Sequence, residues 1–314
     1  EVWSYTSELA KVIDRTLGRG GNVIIPAFAV GRTQELLYFL RRIKQEHLVK
    51  SVQDFPVYID SPLASKATTI FCGDLAGYLD EEALALVKDG TNMFTFPGLR
   101  LTESLEESKM LNADMTPKVI ISASGMCDAG RIRHHLKYNL WREECTVVFV
   151  GFQAPGTLGR TLLEGAETVR LFGEDVAVLA EIENFKGLSS HADRDHLLEW
   201  AQSFENPTHF FVVHGDREVA PYFAESLERL GLSAHAPQYT EVYDLIANCQ
   251  LERGYLPERR PVVTTAGKES GTYQHLAAVG KLLQEVILRS KGRTNKDMAR
   301  LADQIKHLID KWEA

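Results

Sequence analysis

The chain has 314 residues, 44% hydrophobic and 25% charged, with 23 glycines and 11 prolines scattered without period. That length allows about two domains of ~150 residues with a sizeable core, and the composition excludes a mainly disordered or collagen-like chain. With 43 acidic against 35 basic residues the net charge is -8, which argues against nucleic-acid binding by bulk positive charge and leaves any such role to a local site. No apolar run approaches the ~20 residues of a membrane span, and Glu1-Val2-Trp3-Ser4 lacks a basic-then-apolar signal pattern, so a cytoplasmic protein without a membrane partner is expected. The four cysteines, Cys72, Cys127, Cys145 and Cys249, form no CxxC pair and are expected to be small buried hydrophobes, not a zinc ribbon or a disulfide framework.

In chain order, short β-branched runs alternate with amphipathic stretches, the pattern of an α/β fold with a largely parallel sheet. Strands are predicted in residues 22–28 (NVIIPAF), 56–60 (PVYID), 119–123 (VIISA), 146–152 (TVVFVGF) and 209–215 (HFFVVHG). Apolar residues at i, i+3, i+4 and i+7 predict crossover helices over 33–45, 128–140, 193–204 and 219–230. A hairpin is expected from 167–172 and 175–182 around Gly173-Glu174. After Leu245, Gly254, Pro257 and Pro261 bracket a polar stretch that precedes two predicted helices, 273–289 and 295–312. There is no internal repeat.

Four segments carry residues suited to chemistry. Gly187-Leu188-Ser189-Ser190-His191-Ala192-Asp193 precedes a predicted helix; its serines suit a helix cap, its open N–H groups suit an anion, and His191 suits a general acid or a polar member of a capping loop. The run His191-Ala192-Asp193-Arg194-Asp195-His196 differs by one position from the HxHxDH run that binds two zinc ions in metallo-β-lactamase-like hydrolases. It opens a helix instead of ending an apolar strand, and it is rejected as the primary metal motif. His214 ends the run Phe210-Phe211-Val212-Val213 before Gly215, where an imidazole is a zinc ligand or a structural residue. Ser122-Ala123-Ser124-Gly125-Met126, leading to Arg131 and His134-His135, leaves N–H groups and a guanidinium for phosphate, and Ala29 to Gln34 either cradles phosphate or starts a helix with Arg32 solvated.

Together these segments resemble the β-CASP group of metallo-β-lactamase-fold nucleases, which includes RNase J and the endonuclease of pre-mRNA cleavage and polyadenylation. The resemblance runs through residues 20–37 (GGNVIIPAFAVGRTQELL), Asp60-Ser61-Pro62-Leu63-Ala64, Ser122 to Met126, Gly130-Arg131-Ile132 and the segments at His191 and His214. It covers most of residues 5–245. It implies a parallel-sheet β-CASP domain over 1–180, the C-terminal portion of a metallo-β-lactamase αββα domain over 181–245 and a helical extension over 246–314.

The resemblance also implies a function, an RNA-processing zinc-dependent ribonuclease that hydrolyses phosphodiesters with two Zn2+ ions in a cleft between the two domains. His191 resembles the catalytic histidine near the scissile phosphate and His214 a zinc-ligating histidine, with Ser189, Ser190, Arg32, Ser124 and Arg131 as RNA or phosphate contacts. The family's HxHxDH run, a later His ligand, the bridging Asp and a further acid lie before the position corresponding to Glu1, so this chain is expected to be the RNA-clamping and C-terminal portion, not to hold two zinc ions alone and to be inactive without the metal-binding half. A non-catalytic RNA-binding or scaffolding subunit is the rival reading, and the apolar faces of the tail make a homodimer a possible partner arrangement beside RNA.

Overall fold

The computed structural model describes residues 2–73, 77–90, 92–185, 192–257, 271–291 and 294–313. The chain opens with a helix absent from the expectation above, α1 (Val2–Gly18), which buries Leu9, Ile13 and Leu17 at helical spacing. β1 (Val23–Pro26), α2 (Arg32–Gln45), β2 (Val57–Ile59), α3 (Pro62–Phe71), α4 (Glu81–Lys88) and β3 (Leu99–Leu101) follow. Next come α5 (Leu105–Ala113), β4 (Val119–Ser122), α6 (Ile132–Asn139), β5 (Thr146–Phe149), α7 (Leu158–Leu163), β6 (Thr168–Leu171), β7 (Glu174–Ala177) and β8 (Glu181–Asn184). The last elements are α8 (Arg194–Gln202), β9 (Phe210–Phe211), α9 (Val219–Arg229), β10 (Ala234–His235), β11 (Val242–Asp244), β12 (Cys249–Glu252), α10 (Gly271–Arg289) and α11 (Asn295–Glu313).

A six-stranded parallel sheet in the order β3-β2-β4-β1-β5-β8 forms the centre, so the fold class is the expected one. Both faces are covered, as a parallel sheet requires. Val23, Ile25, Val119 and Ile121 pack with Leu36, Leu37 and Leu40 of α2 and Leu9 and Ile13 of α1. Ile24, in register with Ile120 and Val147, is buried on the other face, where α6 packs with Ile132 and Leu136. Each such side chain, once buried, contributes ~1.5–3 kcal/mol.

The second half of the expected hairpin divides. Glu174–Ala177 pairs antiparallel with β6, but the N–H groups of Leu179 and Ala180 both donate to the Leu140 carbonyl, and the chain then enters the main sheet as β8 beside β5. β8 is an edge strand whose charges are held from α1 and the residue after it: Glu181 meets the Arg15 guanidinium at 2.7 Å and the Arg19 guanidinium at 3.0 Å. The cysteine expectation is also corrected. Cys127 and Cys145 are buried, whereas Cys72, the residue that caps the end of α3, and Cys249, in the exposed strand β12, are open to solvent.

The chain divides into two compact units, Glu1–Ala166 with Leu179–Val263 and Glu167–Val178 with Thr264–Ala314. The second holds the β6–β7 hairpin and helices α10 and α11, on which Leu276, Val279, Leu282 and Leu288 are exposed. No helix among the described residues is long and apolar enough to cross a membrane.

Two polar networks hold the first unit. Asp60, just past β2 and without solvent exposure, accepts from Ser108 Oγ at 2.6 Å and Arg131 Nη1 at 2.7 Å, and meets His135 Nε2 at 2.6 Å. Burial pushes its carboxyl up, but the bonds from His135, Ser108 and Arg131 outweigh that and hold it below the usual range. Farther along, Ser233 Oγ, His209 Nδ1, His209 Nε2, His235 Nδ1, His235 Nε2 and Glu241 Oε1 form a chain with links of 2.7, 2.7 and 2.6 Å. It ties β9 and β10 to the segment before β11. Burial, then the charge of His235, holds His209 below its ordinary value.

Removing the Asp60 carboxylate leaves Arg131 and His135 without their buried partner, so Asp60→Ala is expected to cost about 3–5 kcal/mol in urea unfolding. Because the folded carboxyl binds its proton more weakly than the unfolded one, this contribution is complete above pH ~4 and is lost as pH falls through the lower folded value. His209 has the same direction of shift, so here too the unfolded state gains protons first, and stability declines as pH falls below ~6.5. In thermal melts from pH 7 to 5, His209→Asn is expected to flatten that decline; an unchanged slope would exclude His209 as its source.

Candidate functional site

A cleft of about 1030 Å³ opens at the carboxyl ends of β1, β4 and β5. This is where open parallel sheets place ligands, beside a strand from which the order runs both ways. Its walls are residues 26–28 and 30–32 with Glu35, Gly125 and Met126, residues 150–154, and residues 214–216.

The loop after β1 is folded by the first turn of α2. Thr33 Oγ1 donates to the Phe28 carbonyl at 2.7 Å, the Gly31 N–H donates to Gln34 Oε1 at 2.7 Å, and Gln34 Nε2 donates to the Ala29 carbonyl at 3.2 Å and to Thr68 Oγ1 at 2.9 Å. Arg32 is not the solvated residue that one alternative supposed. Its guanidinium pairs with Glu35, and its side chain is mostly buried. Burial pushes the Glu35 carboxyl up in spite of the Arg32 charge. In the field of this pair the buried Tyr5 hydroxyl has no hydrogen-bond partner among the described residues, and burial drives its pKa far up.

The loops after β4 and β5 are joined to each other. Gln153 Nε2 donates to the Gly125 carbonyl at 2.9 Å, the Gly159 N–H to the Met126 carbonyl at 3.1 Å, and the Leu158 N–H to Asp128 Oδ1 at 3.0 Å. Gly130, at φ 83°, lets the β4 loop double back; a Cβ there would lie 2.3 Å from the Ala123 carbonyl oxygen. This turn is why α6 begins at Ile132 and not at the predicted Asp128.

Arg32 and His214 both line the cleft. His214 is exposed and itself takes the left-handed conformation, φ 60°, while the adjacent Gly215 serves close packing, since a Cβ there would lie 3.1 Å from Ala220 Cβ. Ser124 and Arg131 do not line the cleft. The Ser124 N–H donates to the Ala129 carbonyl at 3.0 Å, and the Arg131 guanidinium is taken up by Asp60 and, at 3.3 and 2.9 Å, by the Thr102 and Glu103 carbonyls. Ser189, Ser190 and His191 lie outside the described residues. Asp193 caps α8 by accepting from the His196 N–H at 3.0 Å, and its carboxylate meets His196 Nδ1 at 2.8 Å, the geometry of a helix start.

Sequence reasoning did not single out Phe28, Glu35, Phe152 or Gln153 as cleft residues. Their one signal is position, within a few residues of a predicted strand end or on the first helical turn after it. Among the described residues no group of three or more His, Cys, Asp or Glu is placed to hold a metal ion. His214 is one donor, and the described side chains do not make up a two-zinc set.

Residues 33–162 match the Beta-Casp domain family, and residues 175–237 match the Zn-dependent metallo-hydrolase RNA specificity domain. The chain belongs to the β-CASP family. The β-CASP match supplies the cleft walls at Glu35, Gly125, Met126 and 150–154, and the second match supplies His214–Asp216. A ribonuclease of Thermus thermophilus, TTHA0252, is 38% identical over 67% of this chain and 47% of its own length. The transcription termination factor FttA of Pyrococcus abyssi is 32% identical over 73% of this chain and 36% of its own, and an RNase J-like protein of Methanocaldococcus jannaschii 29% over 70% and 49%. This β-CASP chain thus spans about half the length, or less, of the curated relatives it matches.

A Cβ added at Gly159 would lie 1.8 Å from Gln153 Oε1, so Gly159→Ala has to displace the Gln153 amide from the buried Gly125 carbonyl. The unpaired carbonyl costs about 1–3 kcal/mol, which outweighs the ~1 kcal/mol gained by removing a helical glycine. Gly159→Ala is therefore expected to destabilise the natural chain and to cost less in the Gln153→Ala variant, where only the Phe149 ring edge, 3.0 Å from the added Cβ, still has to give. Additivity in that double-mutant cycle, followed by denaturant unfolding, would refute the clamp.

Proposed function

We propose that this chain is the RNA-holding portion of an RNA-processing metallo-hydrolase of the β-CASP type, one that hydrolyses phosphodiester bonds. The observation that carries the reading is the cleft itself, at the carboxyl edge of the parallel sheet and bordered by residues of both family-matched segments. In this reading residues 1–180 are the β-CASP domain, 181–245 the C-terminal portion of the metallo-β-lactamase domain and 246–314 a helical extension, in a cytoplasmic protein.

Support for RNA as the substrate comes from the description of the second matched domain and from the ribonuclease and RNase J-like relatives. Zinc, named by the same description, would supply the charge that activates water and stabilises the phosphorane-like transition state. This chain's own residues bind and orient the strand. The Phe28, Phe152 and Met126 side chains give the cleft an apolar lining, and Arg32, steadied by Glu35, presents a fixed cation. His214 is assigned as a zinc ligand, His191 as the group beside the scissile phosphate, and Ser189 and Ser190 as phosphate contacts of the complete site, while Ser124 and Arg131, which do not line the cleft, hold the loop after β4.

The test is zinc content, RNA binding and RNA hydrolysis on one preparation of verified mass. Near-zero zinc, measurable binding of single-stranded RNA and no cleavage are expected. Two zinc ions per chain, or cleavage abolished by His191→Ala, would show a complete catalytic site in this chain. Absence of any RNA binding would remove the reading.

A further inference from the structure

The charges of the cleft are poorly suited to a polyanion. Arg32 is matched by Glu35 on its own helix, and Asp216 adds a second carboxylate to the lining. Among the described lining residues, acids therefore equal or exceed bases whether or not His214 is protonated. An RNA strand finds little net positive charge on these walls, so its affinity for them comes chiefly from something other than its phosphates.

The apolar groups supply it. Phe28 and Phe152 are 53% and 65% exposed, in a protein whose largest core aromatics, Phe55 and Phe149, are wholly buried. They extend from the loops after β1 and β5, neighbouring strands of the sheet, and both line the cleft. Neither ring has an aromatic partner among the described residues.

Both rings stand on fixed backbone. Gly125 brings bare backbone against the Phe28 ring, so that a Cβ there would sit 3.2 Å from Cδ2 and 3.3 Å from Cε2, while the Phe28 carbonyl accepts from Thr33. The Phe152 loop is held through the Gln153 amide, which donates to the Gly125 carbonyl at 2.9 Å. Exposed aromatic faces on a rigid frame lose little entropy on binding, and every nucleobase offers a matching π-face. A cleft of about 1030 Å³ admits nucleotide-sized groups.

From this placement we infer that Phe28 and Phe152 form a base-stacking subsite for single-stranded RNA, which binds here chiefly through its bases. The inference rests on the RNA-holding role proposed above and adds where on the cleft the strand is gripped and by what force. An apolar side chain of a protein partner is the competing occupant.

The experiment uses the whole chain, a short RNA carrying 2-aminopurine, and anisotropy titrations across a range of salt. Quenching of 2-aminopurine on binding, and affinity roughly 5- to 150-fold weaker in Phe28→Ala and Phe152→Ala, are expected. Phe28→Leu, which keeps apolar bulk without a π-face, is expected to stay weak, and Phe28→Trp to bind as well as the natural chain. The logarithm of affinity against the logarithm of salt is expected to have a slope shallower than about -1, as for few released counterions. RNA binding with unquenched 2-aminopurine, full affinity in Phe28→Leu, or a steep salt slope unaltered by both alanine variants overturns the stacking subsite and leaves the RNA-holding role intact. A natural chain that binds no RNA overturns that role, and the subsite with it.

Discussion

A carboxylate sealed from solvent, Asp60, joins three elements at the carboxyl edge of the sheet. It stands at the end of β2, takes Ser108 from α5, and takes His135 and Arg131 from the body and the start of α6. An isolated buried charge would cost several kcal/mol or take up a proton. Three short bonds make the ionised form the stable one, so the charge becomes a constraint on where α6 begins. That start sets the loop after β4, and the loop supplies Gly125 and Met126 to the cleft. The cleft geometry is in this sense a consequence of a network that does not touch it.

Much of the architecture was legible in the sequence because it depends on short-range periodicity. NVIIPAF, VIISA and TVVFVGF are runs too short and too β-branched for buried helices, and all three became central strands. What the pattern could not reveal depended on tertiary partners. The stretch after Gly173 reads as one strand, yet the Leu140 carbonyl takes two successive N–H groups and breaks it into β7 and β8. The helix after Asp128 reads as continuous, yet Gly130 must turn before it can start. α1 was legible in principle too, since Leu9, Ile13 and Leu17 recur at helical spacing and are buried.

The candidate site was legible through resemblance more than through chemistry. Arg32 and His214 reach the cleft, but nothing in the spacing of Arg131 distinguishes a phosphate fork from a partner of Asp60, since both need an arginine just before a helix. Phe28 and Phe152 read as the last residues of apolar strands, and only the strand ends, at Pro26 and Phe149, leave them outside the core. Exposure of an apolar side chain is decided by where pairing stops, which hydrophobicity alone does not encode.

The joining of the β4 and β5 loops through Gln153, Gly125 and Gly159 bears on how this cleft could be re-engineered. Val30 and Phe152, both exposed on the cleft wall, are free variables for a library, whereas the Phe28 ring lies against the Gly125 backbone. Gly125, Gly130 and Gly159 are the fixed parameters, because any side chain there meets a ring, a carbonyl or an amide within about 3 Å. A randomisation scheme that varied all five together would mostly sample broken frames and would mistake collapse of the scaffold for loss of ligand specificity.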